Sequence, residues 1–318
     1  MMAAGGPAVT TASYADAALD SAGLPRPYTV SPVSQGASNA VLRADDARGR
    51  AWAVRVTQHT PGRFDVERVA MERACAAGVP VAPVLFAGEV TVDGSTETAM
   101  VSEWVEGRRL ADLARSEIGA ELVDDIATVL SRVHSIAVDG FGNLDVGLTG
   151  PWPTFSGWFV DGGLVSVAAS RDVAERLGAA AAASTLTRAA EALEAARQTL
   201  DAASSRLIHG DFSPANLLVR GDAVVALLDW ESVKGGPVGL DFGWWDFIGG
   251  GDLIATERLV DAYATRIDHD LDLDAVTDLR RLVQIRILAS HLAWADQADA
   301  DIDTDRVIER LRALLATE

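Results

Sequence analysis

The sequence predicts an α+β protein of two lobes, a small β-rich N-terminal lobe and a larger α-helical C-terminal lobe. Three observations carry this expectation. Short β-prone runs separated by turn residues crowd the first hundred positions. Helical spacing of apolar residues dominates from residue 108 onward. One β island, Arg206 to Asp229, interrupts those helices. The boundaries follow: residues 1–101 for the first lobe, 102–107 for a connector, and 108–318 for the second lobe.

Tyr28–Val33 and Ala40–Arg43 are short β-prone runs around the polar turn Ser34-Gln35-Gly36-Ala37-Ser38-Asn39. Ala51–Thr57 alternates around Trp52, Val54 and Val56, as a strand with one buried face does. Phe64–Ala77 has helical spacing, an Arg68/Glu72 pair at i,i+4, and a stop at Gly78. Phe86–Val92 and Thr98–Val101 flank Asp93-Gly94, a hairpin signal. Glu121–Ile136 places Leu122, Ile126, Val129, Leu130 and Val133 on one helical stripe. Arg171–Ala183, Ser184–Ala203, Leu279–Trp294 and Asp305–Leu315 read as further helices.

Composition excludes several function classes. With 46 acidic against 27 basic residues and a net charge of −19, the chain lacks the basic face that nucleic acid or an anionic membrane requires. The single Cys75 rules out an internal disulfide and a cysteine-rich zinc site. No run approaches the ~18 apolar residues of a membrane helix, and Met1 to Gly23 has neither a basic start nor an apolar core. A cytoplasmic protein is expected. Among the 27 basic residues only Lys234 is a lysine, which fits the coding bias of a GC-rich genome.

The chemistry concentrates in the β island. His209-Gly210-Asp211-Phe212-Ser213-Pro214-Ala215-Asn216 precedes Leu217–Arg220, the turn Gly221-Asp222, and Ala223–Asp229 followed by Trp230 and Glu231. A hairpin turning at 221–222 returns the end of its second strand to the start of its first. Asn216 and Asp229 therefore meet at the open end, beside the loop that carries Asp211. A few carboxylate and amide oxygens in such a place suit Mg²⁺, which takes its other ligands from water and phosphate. Any one of these acids alone would read as a loop-capping carboxylate. Their order and spacing together argue otherwise.

The HGDFSPAN and LLDWE strings resemble those of the aminoglycoside phosphotransferases and related small-molecule kinases that share the protein-kinase fold. The resemblance spans roughly Val30 to Ala289 and implies a bilobal protein-kinase-like fold. It implies that Asp211 is the catalytic base, and that Asn216 and Asp229 hold the Mg²⁺ bridging the nucleotide phosphates. His209 and Asp241, in Gly239-Leu240-Asp241-Phe242, would brace the same loop. Ser34, Gly36, Ser38 and Asn39 would belong to the phosphate-covering turn, and Glu67 to the helix carboxylate that pairs with a strand cation. Glu103 and Val105, in the connector Ser102–Gly107, would bind the nucleobase through the backbone. The strand cation is normally Lys, and here it is Arg55, whose longer planar fork has different geometry. Arg55 is expected to contact phosphate, with an exposed strand arginine as the alternative.

The acceptor side is less legible. Trp244, Trp245 and Asp246 could line it, holding a cationic, sugar-like ligand by ring stacking and charge, or could be core and solvated surface. Trp294, Asp296 and Asp299 fit the second description better, and Pro151–Trp158 could cover the entrance or join the core. The expected activity is Mg²⁺-dependent transfer of phosphate from ATP or GTP to a hydroxyl of a small molecule, first an antibiotic, as a resistance reaction. A metabolic kinase of an amino sugar, sugar or amino alcohol is the alternative, and a nucleotide-binding pseudokinase a further one. A protein substrate is disfavoured because no Ala-Pro-Glu-like segment follows Asp229. The five histidines lack metal-ligand spacing, which leaves a metallohydrolase remote. A monomer or homodimer is expected.

Overall fold

A computed structural model describes residues 10–35, 39–57, 63–267, 272–298 and 303–316. The chain opens with a helix, α1 (Thr11–Ser21), then the strands β1 (Tyr28–Gln35), β2 (Asn39–Asp46) and β3 (Ala51–Thr57), the helix α2 (Phe64–Ala76), and the hairpin β4 (Val84–Val92) and β5 (Ser95–Glu103). These strands form an antiparallel sheet in the order β1-β2-β3-β5-β4. Alternation decides its faces. Trp52, Val54 and Val56 of β3 are buried with Leu42, Val90 and Val101 against Tyr14, Ala18 and Leu19 of α1. No patterning in the Ala-rich N-terminal stretch predicts α1. Its start is set by Thr10, whose side chain accepts from the Ser13 N–H.

The larger lobe starts with β6 (Arg108–Arg109) and α3 (Ala120–His134), then β7 (Gly142–Asn143), α4 (Phe155–Arg176), α5 (Ala180–Ala195) and α6 (Arg197–Leu200). The expected stripe of α3 is buried throughout. The stretch from Arg171 to Ala183 is not one helix: α4 ends at Arg176 and Gly178 turns at φ +70°. Pro151–Trp158 does not simply cover an entrance, because α4 begins within it. Thr154 caps the helix by accepting from the Gly157 N–H, and Phe155 and Phe159 enter the core.

The β island supplies β8 (Arg206–Ile208), β9 (Leu217–Arg220) and β10 (Ala223–Leu227), followed by β11 (Lys234–Gly236). Helices α7 (Gly239–Phe247), α8 (Thr256–Ala264), α9 (Leu273–Ala298) and α10 (Thr304–Leu315) complete the fold. The hairpin β9–β10 pairs with β6, while β11 lies between β7 and β8. Helix α2 shares one apolar core with α3 and the hairpin, through Phe64, Met71, Leu122, Leu217 and Trp230. That shared core seats the sheet over the β island and leaves the site between the lobes.

Candidate active site

The loop between β8 and β9 holds Asp211 with its carboxylate fixed at both oxygens. Trp244 Nε1 donates to Oδ1 at 2.6 Å. Asn216 Nδ2 donates to Oδ2 and to the Asp211 carbonyl, each at 2.9 Å. Burial pushes the Asp211 carboxyl above its ordinary range, and the Trp244 and Asn216 hydrogen bonds pull it back.

Beneath this loop lies Asp241, fully buried at the start of α7. Its oxygens accept the His209 N–H at 3.0 Å and the Gly210 N–H at 2.8 Å. His134 Nε2 lies 3.0 Å from Asp241 Oδ2, and Nδ1 lies 3.1 Å from the Tyr263 hydroxyl. A carboxylate only accepts, so Nε2 carries the proton and the tyrosine donates to Nδ1. Burial alone would raise Asp241, but the bonds from His134 and the loop N–H hold it below the usual carboxylate range. His209 lies below its usual range through burial. It is the Nε2–H form, donating to the Leu228 carbonyl at 2.9 Å while Nδ1 accepts the Asp211 N–H at 3.3 Å. Gly210 takes φ +81°, and a Cβ there would collide with the Ser232 carbonyl and the Lys234 ammonium. No other residue type fits at this position.

The hairpin closes as its register requires. Leu217 pairs with Leu227, and the Leu228 N–H donates to the Asn216 carbonyl at 2.8 Å, which brings Asn216 beside Asp229. Asp229 has φ +61°, a left-handed conformation that turns its side chain toward Arg55 on β3. Arg55 Nη2 reaches Asp229 Oδ1 at 3.0 Å and Glu231 Oε2 at 3.4 Å, and Nη1 reaches Glu67 Oε2 of α2 at 2.5 Å. Asn39 Nδ2 donates to the same Glu231 oxygen at 2.9 Å, while the buried Asn39 Oδ1 has no partner among the described residues. Burial pushes Glu67 up to about 7 against the pull of Arg55.

One guanidinium thus faces three carboxylates, and this end of the cleft is net negative. The donor set fits Mg²⁺. The Asn216 amide contacts Asp211 through its nitrogen, which leaves its oxygen available beside Asp229. Among the described residues there is no cluster of three or more His, Cys, Asp or Glu side chains able to hold a metal. The ion that suits one carboxylate and one amide is therefore one that keeps phosphate and water as its remaining ligands.

A cavity of about 630 Å³ runs from these groups to the connector, walled by Val41, Ala53, Met100, Leu218 and Leu228. Glu103, Val105, Asn39, Arg55, Asn216 and Asp229 line it. The N–H groups of Glu103 and Trp104 are bonded to Pro83 and Ala51. The Val105 N–H has no backbone partner among the described residues and borders the cavity. Ser34 lies near the end of β1, opposite Val41, whereas Gly36 and Ser38 lie outside the described residues.

The acceptor-side candidates separate. Trp244 faces Asp211, as described. Trp245 is fully buried against Phe212, with its indole N–H donating to the Ile254 carbonyl at 3.2 Å, so it lines no accessible surface. Asp246 is held by Arg280 Nε at 2.8 Å and by the Thr256 hydroxyl, which neutralises the charge offered for a cationic ligand. Asp296 pairs with Arg176 at 2.8 Å, Trp294 is exposed, and Asp299 lies outside the described residues. Glu231 and Lys234 were not expected at the site. The string Asp229-Trp230-Glu231 could have suggested Glu231, because the turn after Asp229 points it back at β3.

A model of the phosphotransferase enzyme family (APH) matches residues 29–276 of the chain. No curated protein sequence matches it. Among solved structures, a thermostable mutant of aminoglycoside phosphotransferase APH(4)-Ia, in a ternary complex with AMP-PNP and hygromycin B, is 19% identical. It covers 96% of this chain and 98% of its own, with a TM-score of 0.71. A putative fructosamine-3-kinase from Thermobifida fusca is 18% identical over 97% of this chain and 100% of its own, with a TM-score of 0.64. APH(2")-IIIa bound to GDP and kanamycin is 15% identical over 91% and 94%, with a TM-score of 0.60. These likenesses establish the bilobal kinase-like fold.

Proposed function

The chain belongs to the phosphotransferase enzyme family, and we propose that it uses Mg²⁺ and ATP or GTP to phosphorylate a hydroxyl of a small molecule. The observation that carries this reading is the fixed Asp211 carboxylate, held by Trp244 and Asn216 where the nucleotide cavity meets the helical lobe. The hydroxyl oxygen of the acceptor attacks the γ-phosphorus. An O–P bond forms, the bond to the β–γ bridging oxygen breaks, the nucleoside diphosphate leaves, and the hydroxyl proton passes to Asp211. The loose transition state asks mainly for positioning and charge.

Asn216 and Asp229 would hold Mg²⁺, which neutralises charge on the phosphates when bound. Arg55 would move from Asp229 toward phosphate while Glu67 keeps its other amino group. Glu103 and Val105 would receive the base, and Ser34, Gly36, Ser38 and Asn39 would cover the phosphates. His209 and Asp241 would act only by positioning the loop. Residues 1–101, 102–107 and 108–318 would serve as nucleotide lobe, hinge and acceptor lobe.

The acceptor is an antibiotic or a sugar-like or amino-alcohol metabolite, and both readings share this chemistry. A cytoplasmic monomer or homodimer is part of this proposal; among the described residues no helix is long and apolar enough to cross a membrane. The test is diphosphate release from Mg·ATP and Mg·GTP across antibiotics and hydroxylated metabolites. Acceptor-dependent release that disappears in Asp211→Asn, with nucleotide binding retained, is expected. Release that survives in Asp211→Asn would remove Asp211 as the base, and absence of nucleotide binding in the wild type would remove the kinase reading.

A further inference from the structure

We propose that the acceptor carries an anionic group, a carboxylate or phosphate ester, held beside Asp211 by two partly buried cations, Lys234 and Arg286. This rests on the kinase reading above and narrows its substrate class.

Lys234 sits on β11, paired with Ile208 and Asn143 on either side. Its ammonium folds over Gly210, one residue before Asp211: a Cβ built on Gly210 would lie 2.6 Å from Nζ. The ammonium donates to the Ser232 carbonyl at 2.6 Å. An ammonium has three donors, and the other two have no partner among the described residues. Asp241 and Asp211 are the carboxylates whose charge acts on it. Each is already occupied, Asp211 by Trp244 and Asn216, Asp241 by His134 and the loop N–H groups.

Arg286, on α9, lies where its charge acts on Lys234. Its guanidinium lies over the rings of Trp158 and Phe159, 5.1 and 5.0 Å from their centres. Gly162 and Gly163 of α4 leave room for it. Trp158 in turn closes on Gly142 of β7, which pairs with Gly235, the neighbour of Lys234. Among the described residues Arg286 has no ion pair or side-chain hydrogen bond, and its Nε is buried without a partner. Burial holds Arg286 down to about 10, and burial with the charge of Arg286 pushes Lys234 down to about 8.

Lys234 keeps two unused donors and Arg286 a buried, unpartnered Nε, and cationic donors left unsatisfied are costly unless a ligand takes them. The acids that act on Lys234, Asp241 and Asp211, already hold other donors, and Asp246 is paired with Arg280. Unused cationic donors in this place suit a hydroxy acid or sugar phosphate rather than a polycationic aminoglycoside.

The test compares matched acceptors in Mg·ATP turnover: D-gluconate and D-glucose 6-phosphate against D-glucose, D-glycerate and glycerol 3-phosphate against glycerol, and L-homoserine against ethanolamine, with hygromycin B and kanamycin alongside. At least one anionic member is expected to exceed its counterpart by about 10-fold or more in kcat/KM. The carboxylates and phosphate esters separate the two anion sources. Lys234→Met and Arg286→Gln should each raise KM for that acceptor by about 10-fold or more with nucleotide KM unchanged, and Arg286→Lys should restore part of it. Lys234→Met should unfold at the same or a higher temperature, so a folding defect cannot imitate the result. Equal or better use of a neutral or cationic member, or no transfer to any anionic member by a protein that binds Mg·ATP, overturns the inference. Failure to bind Mg·ATP overturns the kinase reading instead, and this inference with it.

Discussion

Trp244 and Asp211 are joined by a 2.6 Å hydrogen bond from the indole N–H to Oδ1, which ties α7 directly to the loop between β8 and β9. With Asn216 on the other oxygen, the carboxylate has one orientation. A helix whose first turn holds the loop-bracing Asp241 thus also orients the Asp211 carboxylate from the next turn.

Replacing Trp244 tests that orientation. A hydrogen bond to a charged group contributes about 1.5–3 kcal/mol, so Trp244→Phe should lower kcat by about 10- to 100-fold. Nucleotide KM should not move, because Trp244 does not line the nucleotide cavity. Steady-state kinetics decide this, and an unchanged kcat would mean that Asn216 alone positions Asp211.

Arg55 bears on stability as well as on the phosphate contact proposed for it. Arg55→Met leaves Glu67, 1% exposed, without its cation. Breaking a buried pair from one side costs about 3–5 kcal/mol. Urea unfolding should show that loss, and Arg55→Met/Glu67→Leu should recover most of it. Arg55→Lys should retain turnover, since the charge is kept and the shorter side chain still faces Glu67.

Asp241→Ala would strand the His209 and Gly210 N–H groups and His134 in a dry core. At about 1–3 kcal/mol for each stranded group, unfolding free energy should fall by about 3 kcal/mol or more. The folded carboxyl sits below its ordinary range, so its contribution is present above the unfolded pKa and is lost as pH falls through the folded value. Wild-type unfolding should show that acid-side loss, and Asp241→Asn should show a smaller one.

Lys234 sets an alkaline limit. It faces Asp211 and Asp241 from the loop and α7, and Arg286 from α9, with burial the largest influence on it. Above about 8 it loses its proton, and one of two cations with it. KM for an anionic acceptor should rise through that pH in the wild type and stay flat in Lys234→Met. Stability moves oppositely. The unfolded chain holds the proton longer, so the wild type should gain stability as pH climbs from about 8 toward the ordinary lysine value. A flat KM profile in the wild type would remove Lys234 from acceptor binding.

The two-lobed α+β outline and the residues of the loop between β8 and β9 are legible in the sequence alone. Both are local matters. Alternation at β3, the stripe on α3 and the glycine after α2 each act within a few residues, and the spacing of Asp211, Asn216 and Asp229 is fixed by one hairpin and its register. Only the tertiary structure decided what each charge faces. Asp246 is silenced by an arginine 34 positions away, Trp245 is core while its neighbour Trp244 holds Asp211, and Arg286 of α9 lies over Trp158 of α4. Helix packing turns adjacent side chains in opposite directions and brings distant ones together, and no local pattern encodes which partner arrives.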